Sequence, residues 1–289
     1  MREKSLPPQL GQKVEKAINS ISRHNGVVVA FSAGVDSSLV AHLANKALGE
    51  RSLAVTAFSE SLPPGELEIA QKTASRIGIR HLVVQTHELQ NPDYSSNPSN
   101  RCFYCKDTLY SELSKVASDM GFEAILDGTQ MDDLTDYRPG RRAAEEFGVK
   151  SPLLEAGFSK HDVREAAKIL GLSVWDKPAM PCLSSRIPHG EEVTPTKLSM
   201  IGKAELFIKN LTNVRELRVR YQNGNARIEV APEELHMFFD NAITESIDLH
   251  LRTLGFATVT LDLGGYRKRE TTSPKLDDLT LPMAGSSLP

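Results

Sequence analysis

The stretch Val27-Val28-Val29-Ala30-Phe31-Ser32-Ala33-Gly34-Val35-Asp36-Ser37-Ser38 decides the fold. Its unbroken apolar beginning predicts a buried parallel strand. The chain then turns through small and hydroxyl-bearing residues into a segment, Leu39 to Leu48, whose apolar residues recur at helical spacing. The start of such a helix offers free amides and a positive dipole end to an anion. We therefore predict an anion-binding turn; a strand-to-helix turn capped by serines is the plainer alternative. The residues expected to bind the anion are Ser32, Gly34, Asp36, Ser37 and Ser38.

This turn is not a Walker P-loop, because it lacks the Gly-Lys-Ser/Thr ending. It resembles the PP-loop, Ser-Gly-Gly-x-Asp-Ser, of enzymes that split ATP into AMP and pyrophosphate. The chain departs from that pattern at Ala33, where glycine is usual. Because a methyl group disfavours positive φ, we expect an ordinary backbone conformation at Ala33.

Composition is that of a globular protein without membrane spans. The chain has 289 residues, 40% hydrophobic and 25% charged, which fits two modest domains. No apolar stretch approaches the ~20 residues of a membrane span. The polar start lacks the apolar core of a signal peptide, so we expect a cytoplasmic protein. The net charge of −3 argues against nucleic acid as the main partner.

Up to about Trp175, short strands and helices alternate, which predicts an α/β fold: a parallel sheet with helices on both faces. The loop 90–101 is expected to be exposed near the ligand-binding edge of that sheet. The predicted strands are Val27–Phe31, Leu53–Phe58, His81–Gln85 and Ala124–Leu126, and the predicted helices are Ser37–Leu48, Glu66–Ile77, Lys106–Met120, Arg141–Phe147 and Lys160–Leu170.

Four prolines between Pro178 and Pro195 mark a change in organisation. Beyond them we predict a smaller α+β domain, with a hairpin at Asn223-Gly224-Asn225. The predicted order is helix Thr196–Lys209, strand Glu216–Tyr221, strand Ala226–Val230, helix Glu233–Leu254 and strand Ala257–Leu263. We expect domains at 1–180 and 181–270, followed by a mobile tail at 271–289.

Asp127-Gly128-Thr129 ends the last predicted strand of the first domain and lets backbone approach a nucleotide. Acidic residues follow it, and oxygen ligands suit Mg²⁺ between carboxylates and phosphates. A solvated acidic loop is the alternative. Lys160 begins the next helix and either contacts phosphate or lies on the surface, as most lysines do. The acidic residues after the strand are Asp132, Asp133 and Asp136.

The three cysteines predict metal or thiol chemistry rather than a disulfide framework. Cys102 and Cys105 are separated by two residues, a spacing shared by zinc, iron–sulfur and redox sites. Arg101, Lys106 and a helix start are expected to lower the pKa of these thiols. Cys182 follows in a proline-flanked segment near Arg186, which favours a functional thiol over an inert one.

Arginines recur in the second domain. Arg218 and Arg220 have the same parity on a predicted strand and should project from one face. Arginines on a sheet face suit a phosphorylated substrate, although a charged solvent face is an equal alternative. Arg227 and Arg267 extend this set.

Together these segments resemble the LarE family, ATP-dependent sulfurtransferases that act on pyridinium-3,5-biscarboxylic acid mononucleotide on the way to the nickel-pincer nucleotide cofactor. The resemblance runs from about Gly26 to Arg267. It is carried by Asn100–Lys106, Asp127–Thr129 with Asp132-Asp133, Pro181–Arg186 and Gly265-Tyr266-Arg267.

The resemblance implies that a substrate carboxylate is adenylylated and that a sulfur species then displaces AMP. It implies ATP and Mg²⁺ as cofactors, a sulfide donor as a partner, and a homo-oligomer built through the C-terminal region. The implied site residues are Ser32–Ser38 and Asp127–Thr129 for ATP, Asp36, Asp132 and Asp133 for Mg²⁺, and Arg186, Arg218, Arg220 and Arg267 for the substrate.

The family has two sulfur strategies. Some members give up the sulfur of the cysteine that matches Cys182, whereas others hold a [4Fe–4S] cluster on three cysteines. With Cys102, Cys105 and Cys182 present, we favour the cluster, since three thiolates leave one iron open for sulfide. His189 would complete a Cys₃His zinc site instead. The other classes left open are a PP-loop tRNA thiolase, an ammonia-dependent ligase such as NAD synthetase, and a non-catalytic ATP-binding protein.

Overall fold

A computed structural model describes residues 6–134 and 140–266. The first domain contains four parallel strands in the order β3-β2-β1-β4, which confirms the predicted α/β fold and its strands. The strands are β1 (Val27–Ala30), β2 (Ser52–Phe58), β3 (Arg80–Gln85) and β4 (Ala124–Leu126). The helices of this part are α1 (Pro8–Ile21), α2 (Val35–Leu48), α3 (Glu66–Ile77), α4 (Pro92–Ser95), α5 (Arg101–Met120), α6 (Gly140–Glu146), α7 (Pro152–Glu155) and α8 (Lys160–Ile169).

Both faces of this sheet are covered at its centre, where β1 and β4 are apolar throughout and almost entirely buried. Val27 and Val29 pack into the hydrophobic core that contains residues of α1, α2 and α8, whereas Val28 packs into the core that contains residues of α5. Helix α1 is absent from the prediction. Its buried residues are Leu10, Val14, Ala17 and Ile21, a helical spacing visible in the sequence.

The second domain is a smaller mixed sheet. β5 (Leu217–Gln222) and β6 (Asn225–Val230) form the predicted antiparallel hairpin, and β7 (Val259–Leu261) adds parallel to β6. Asn223 and Gly224 both have positive φ, of 48° and 83°, as a tight hairpin turn requires. Helix α9 (Pro195–Thr212) precedes the hairpin and α10 (Asn241–Thr253) follows it.

The predicted helix Glu233–Leu254 is wrong in its first half. A 3₁₀ helix, Pro232–Phe239, ends before Asp240, and α10 starts after it. The Asp240 carboxylate accepts hydrogen bonds from the amides of Ala242 and Ile243, so it caps a new helix instead of continuing an old one.

The expected exposed loop at 90–101 is wrong in part: Gln90, Pro92, Asp93, Ser96 and Ser99 are exposed, but other residues are not. This segment contains α4, and Tyr94 and Asn97 within it are fully buried. Tyr94 packs into the core of the second domain, so this segment of the first domain contacts the second. Within the described residues, no helix combines the length and apolarity that crossing a bilayer needs.

Candidate active site

The turn between β1 and α2 is held by its own hydroxyl groups. The Ser37 hydroxyl donates to the Gly34 carbonyl at 3.2 Å and lies 3.2 Å from the Ser32 hydroxyl. Two buried oxygen atoms of α2, Ser38 Oγ and Asp36 Oδ1, have no hydrogen-bond partner among the described residues. Buried polar atoms are normally satisfied, so these two are available to bind a ligand at the helix N-terminus.

The expectation of an ordinary backbone at Ala33 is wrong. Ala33 has φ of 52° and its side chain is fully buried. Its carbonyl oxygen accepts a hydrogen bond from Lys177 Nζ at 3.2 Å, and the same ammonium pairs with Glu66 at 2.7 Å. The tight turn therefore imposes the left-handed conformation although a methyl group disfavours it.

Gly128 brings the end of β4 against this turn. A Cβ atom at Gly128 would lie 2.8 Å from the Ser37 amide nitrogen and 2.9 Å from Asp36 Cβ. The Asp127 carboxylate accepts from the Thr129 hydroxyl and from the Ser151 hydroxyl, both at 2.7 Å. Asp127 thus holds the chain that follows β4, and Gly128 lets that chain lie directly against the backbone at the start of α2.

Lys160 joins the acidic residues of this edge. Its ammonium contacts Asp36 Oδ2 at 2.5 Å, and its backbone amide donates to Asp132 Oδ2 at 2.5 Å. Asp133 is buried and accepts from the Gln130 amide at 3.1 Å. Asp36 and Asp132 therefore meet at one lysine beside the turn between β1 and α2. Asp136 lies outside the described residues.

The three cysteines gather in one region. Cys102 is exposed in the first turn of α5, and Cys105, one turn later, is partly buried. Cys182 directly precedes a 3₁₀ helix, Leu183–Arg186. Charge interactions link the Cys105 thiol to both other cysteines.

The predicted lowering of thiol pKa is wrong for Cys105. Burial, followed by the charges of Cys182 and Glu88, raises the pKa of Cys105 to about 12. Lys106 opposes this shift, but the Arg101 guanidinium points elsewhere, to Asn97 Oδ1 and the Ser184 carbonyl. The Cys105 thiol is accordingly neutral at pH 7.

Among residues 6–134 and 140–266, no group of three or more His, Cys, Asp or Glu side chains has the geometry to hold a metal ion. The three thiols are therefore not in ligating geometry here, and His189 is exposed. As a donor set, three free thiols are the chemistry that iron–sulfur clusters use.

The predicted substrate arginines reach the backbone around Cys182. Arg186 is 1% exposed and pairs with Glu205 at 2.9 Å. It donates to the carbonyl oxygens of Pro181 at 2.6 Å and Cys182 at 2.9 Å. In this structure its guanidinium is thus occupied in holding the cysteine segment.

Two arginines of β5 continue this pattern. Arg218 donates to the Ala179 carbonyl at 2.6 Å, and Arg220 donates to the Ser185 carbonyl at 2.8 Å. Arg220 also pairs with Glu229 at 2.9 Å. Burial and then the nearby charge of Arg186 lower the pKa of Arg218, which marks a locally positive environment. Arg227 also pairs with Glu229, and Arg267 lies outside the described residues.

Comparison with known proteins gives relatives over most of the chain. The NAD synthase family model matches residues 8–97. Pyridinium-3,5-bisthiocarboxylic acid mononucleotide synthase of Lactiplantibacillus plantarum is 37% identical over 242 residues, 83% of this chain and 87% of that protein. The chain belongs to the LarE family.

Two further relatives have a higher and a lower identity to this chain. The uncharacterized protein slr1717 of Synechocystis sp. is 45% identical over 258 residues, 89% of this chain and 96% of that protein. The glutamine-hydrolyzing GMP synthase of Aeropyrum pernix is 27% identical over 220 residues, 69% of this chain and 43% of that protein.

Sequence reasoning missed several polar residues of this LarE family member. Glu88 is 5% exposed; its Oε1 accepts from the Ser59 hydroxyl at 2.6 Å, and its Oε2 lacks a partner among the described residues. Tyr94 and Asn97 are buried beside the cysteine segments. No local pattern distinguishes these residues from a loop, since their partners lie far away in the sequence.

Proposed function

We propose that this protein is an ATP-dependent sulfurtransferase that acts on pyridinium-3,5-biscarboxylic acid mononucleotide in nickel-pincer cofactor biosynthesis. The observation that carries the proposal is the pair of unsatisfied buried oxygens, Ser38 Oγ and Asp36 Oδ1, at the start of α2. The name of the Lactiplantibacillus plantarum relative supports the substrate class.

ATP binds with its phosphates on the turn Ser32–Ser38. The amides at the start of α2 and the Ser38 hydroxyl hold the phosphates that leave as pyrophosphate. Asp36 and Asp132 would hold Mg²⁺, which would offset the negative charge of the phosphates. Lys160, which contacts Asp36 at 2.5 Å, places a positive charge beside the phosphates.

The reaction has two displacement steps. A substrate carboxylate oxygen attacks the α-phosphorus of ATP, and pyrophosphate leaves to give an acyl-adenylate. A sulfur nucleophile then attacks the acyl carbon, and AMP leaves with the C–O bonding electrons. Arg218 and Arg220 hold the anionic groups of the substrate by exchanging loop carbonyls for them, as charge-assisted hydrogen bonds favour.

We assign the sulfur-handling residues as Cys102, Cys105 and Cys182, holding a [4Fe–4S] cluster that receives sulfide from a donor. Bound there, the cluster would supply sulfide from its iron that no thiolate ligates. The support is the donor set, three free thiols, and the electrostatic coupling of Cys105 to both other cysteines. Ligation requires that the Cys102 or Cys182 segment move closer, because the thiols are not in ligating geometry here.

A second candidate keeps the reaction and replaces the cluster with Cys182 as a sacrificial sulfur donor. The absence of a metal-holding group among the described residues favours it. In that scheme Cys182 Sγ attacks the acyl-adenylate, and elimination leaves dehydroalanine at Cys182.

Two measurements test the proposal. Stoichiometric release of AMP and pyrophosphate is expected, lowered in Asp36→Asn and Ser37→Ala; ADP and phosphate as products would contradict it. Intact mass after reaction separates the two sulfur sources. A loss of about 34 Da, the mass of H₂S, indicates the sacrificial cysteine. Repeated turnover with sulfide at unchanged mass, with the visible absorption of an iron–sulfur protein, indicates the cluster.

We also propose the domain division near residue 180 and a cytoplasmic homo-oligomer. The second core is built around α9, β5 and β6, which supports a separate unit after the cysteine segment. The tail at 271–289 lies outside the described residues.

A further inference from the structure

We propose that Asn97 and Arg101 are positioning residues that fix the Cys182 segment against the helix carrying Cys102 and Cys105. The inference rests on the proposed function only in taking these cysteines as the sulfur-handling groups. Tyr94, Asn97, Arg101 and Ser184 form what we call the clasp.

Asn97 holds the far end of the Cys182 segment. Its side-chain nitrogen donates to the carbonyl oxygens of Pro188 at 2.7 Å and Glu191 at 2.9 Å. Its own carbonyl accepts from the Gly190 amide at 2.9 Å. Asn97 is fully buried and has φ of 57°, a conformation that its contacts maintain.

Arg101 transmits this hold to the residues next to Cys182. Its Nη1 donates to Asn97 Oδ1 at 2.6 Å and to the Ser184 carbonyl at 2.8 Å. Because Arg101 directly precedes Cys102 in α5, one side chain ties the two cysteine segments together. Arg101 is 4% exposed, so water does not compete for these bonds.

A ring of buried hydroxyls completes the clasp. Tyr94 Oη lies 2.7 Å from Ser184 Oγ and 2.8 Å from Ser61 Oγ, and the two serine oxygens are 3.1 Å apart. The Leu183 amide also donates to the Ser61 carbonyl at 2.8 Å. Residues 183 and 184, immediately after Cys182, are therefore fixed from two sides.

These bonds fix the position of the Cys182 segment and do not involve the Cys182 thiol. Its neighbours in the chain make them. A clasp of this kind controls how closely Cys182 approaches Cys102 and Cys105, while the anion-binding turn of β1 and α2 has its own separate hydrogen bonds. Loosening it should therefore impair thiol convergence and spare adenylylation.

The test compares Asn97→Gly and Arg101→Lys with Asn213→Gly. Glycine preserves the left-handed backbone and removes only the side-chain amide. Lysine preserves the charge and removes the planar guanidinium whose Nη1 makes both bonds. Asn213 is a matched control, because it has φ of 58°, is exposed and ends α9. The probe is Co²⁺ alone, added anaerobically to metal-free protein and followed by thiolate-to-cobalt charge-transfer absorption. Pyrophosphate release is measured in parallel.

We expect both clasp variants to lose about ten-fold or more in Co²⁺ affinity, as supporting residues of metal ligands typically do. Pyrophosphate release should stay within about two-fold of wild type, and the control should match wild type in both measurements. Wild-type Co²⁺ affinity in both variants would overturn the inference. A parallel fall in pyrophosphate release would also overturn it, by showing a general structural role.

Failure of the proposed function has a different signature. Wild-type protein without ATP-dependent pyrophosphate release would refute that function and leave the Co²⁺ comparison decisive for the clasp. If wild-type protein shows no thiolate band, hydrogen exchange at the Leu183 and Gly190 amides decides instead. Faster exchange in the two variants than in the control supports the clasp, and unchanged exchange overturns it.

Discussion

At the residue scale, Ala33 shows how a tight turn overrides intrinsic preference. Left-handed backbone costs an alanine about 1–2 kcal/mol. Ala33→Gly removes that strain. Two effects lower the free energy of unfolding in return: about 0.5–1 kcal/mol because the unfolded chain gains conformational entropy, and about 0.8 kcal/mol because a buried methyl group is lost. We expect Ala33→Gly to change the free energy of unfolding by less than about 1 kcal/mol and to retain pyrophosphate release. Ala33→Val, with a branched side chain at φ of 52°, should lose both stability and activity.

Denaturant unfolding and pyrophosphate assays check this expectation. Ala47→Val is the matched control, since it adds the same two methyl groups near the other end of α2, where φ is ordinary. A fully active and stable Ala33→Val would show that the turn accommodates positive φ without strain.

Gly128 belongs to the same scale for a different reason. A methyl group there meets the Ser37 amide at 2.8 Å, and backbone cannot yield as a flexible side chain can. Gly128→Ala should displace the turn, costing about 1–3 kcal/mol of stability and at least about ten-fold in pyrophosphate release. Gly11→Ala is the control: its nearest neighbour is 3.9 Å away, so in α1 it should be stabilising. Equal rates for Gly128→Ala and wild type would refute the close approach.

At the element scale, α8 starts from a capping box that also binds α1. Burial alone would raise the pKa of the Asp162 carboxyl. Hydrogen bonds from Lys13, and from the Ser159 amide and hydroxyl, outweigh burial and lower that pKa to about 2, from an ordinary 3.8. A depressed carboxyl pKa stabilises the fold above the unfolded value, and that contribution is lost as pH falls from about 4 to about 2. Asp162→Ala should therefore cost about 1 kcal/mol at pH 7, and the gap to wild type should shrink below pH 4.

Urea titrations at several pH values measure that gap. Asp248→Ala removes an exposed carboxylate that pairs with Arg252 four residues later, and it should cost far less. A gap for Asp162→Ala that is the same at pH 7 and at pH 3 would contradict the assigned cause.

Elements whose signals are local could be predicted from the sequence. β1 reads as an apolar run, and the Asn223-Gly224 turn needs only its own positive φ values. The break at Asp240 and the burial of Tyr94 could not be predicted, because the first depends on a cap and the second on Ser184, ninety residues away. The strand, turn and helix at Val27–Leu48 could be predicted for the same local reason, whereas the arginine contacts around Cys182 needed the tertiary structure.

At the scale of the whole molecule, the second domain exposes large apolar side chains. Phe239 is 68% exposed and Leu249 is 69% exposed, whereas the exposed large apolar side chains described in the first domain are 42–43% exposed. Large apolar surface left open to water is typical of interaction sites. We expect the protein to self-associate through this domain, and Leu249→Glu to shift it toward monomer, because an unpaired carboxylate at an interface is costly to desolvate. Light scattering after size-exclusion chromatography measures the mass directly.

Met120→Glu is the matched control. It places the same charge on α5, at a side chain 42% exposed in the first domain, and should leave the mass unchanged. A monomeric wild type would refute self-association, and an oligomer that Met120→Glu dissociates and Leu249→Glu does not would place the interface elsewhere.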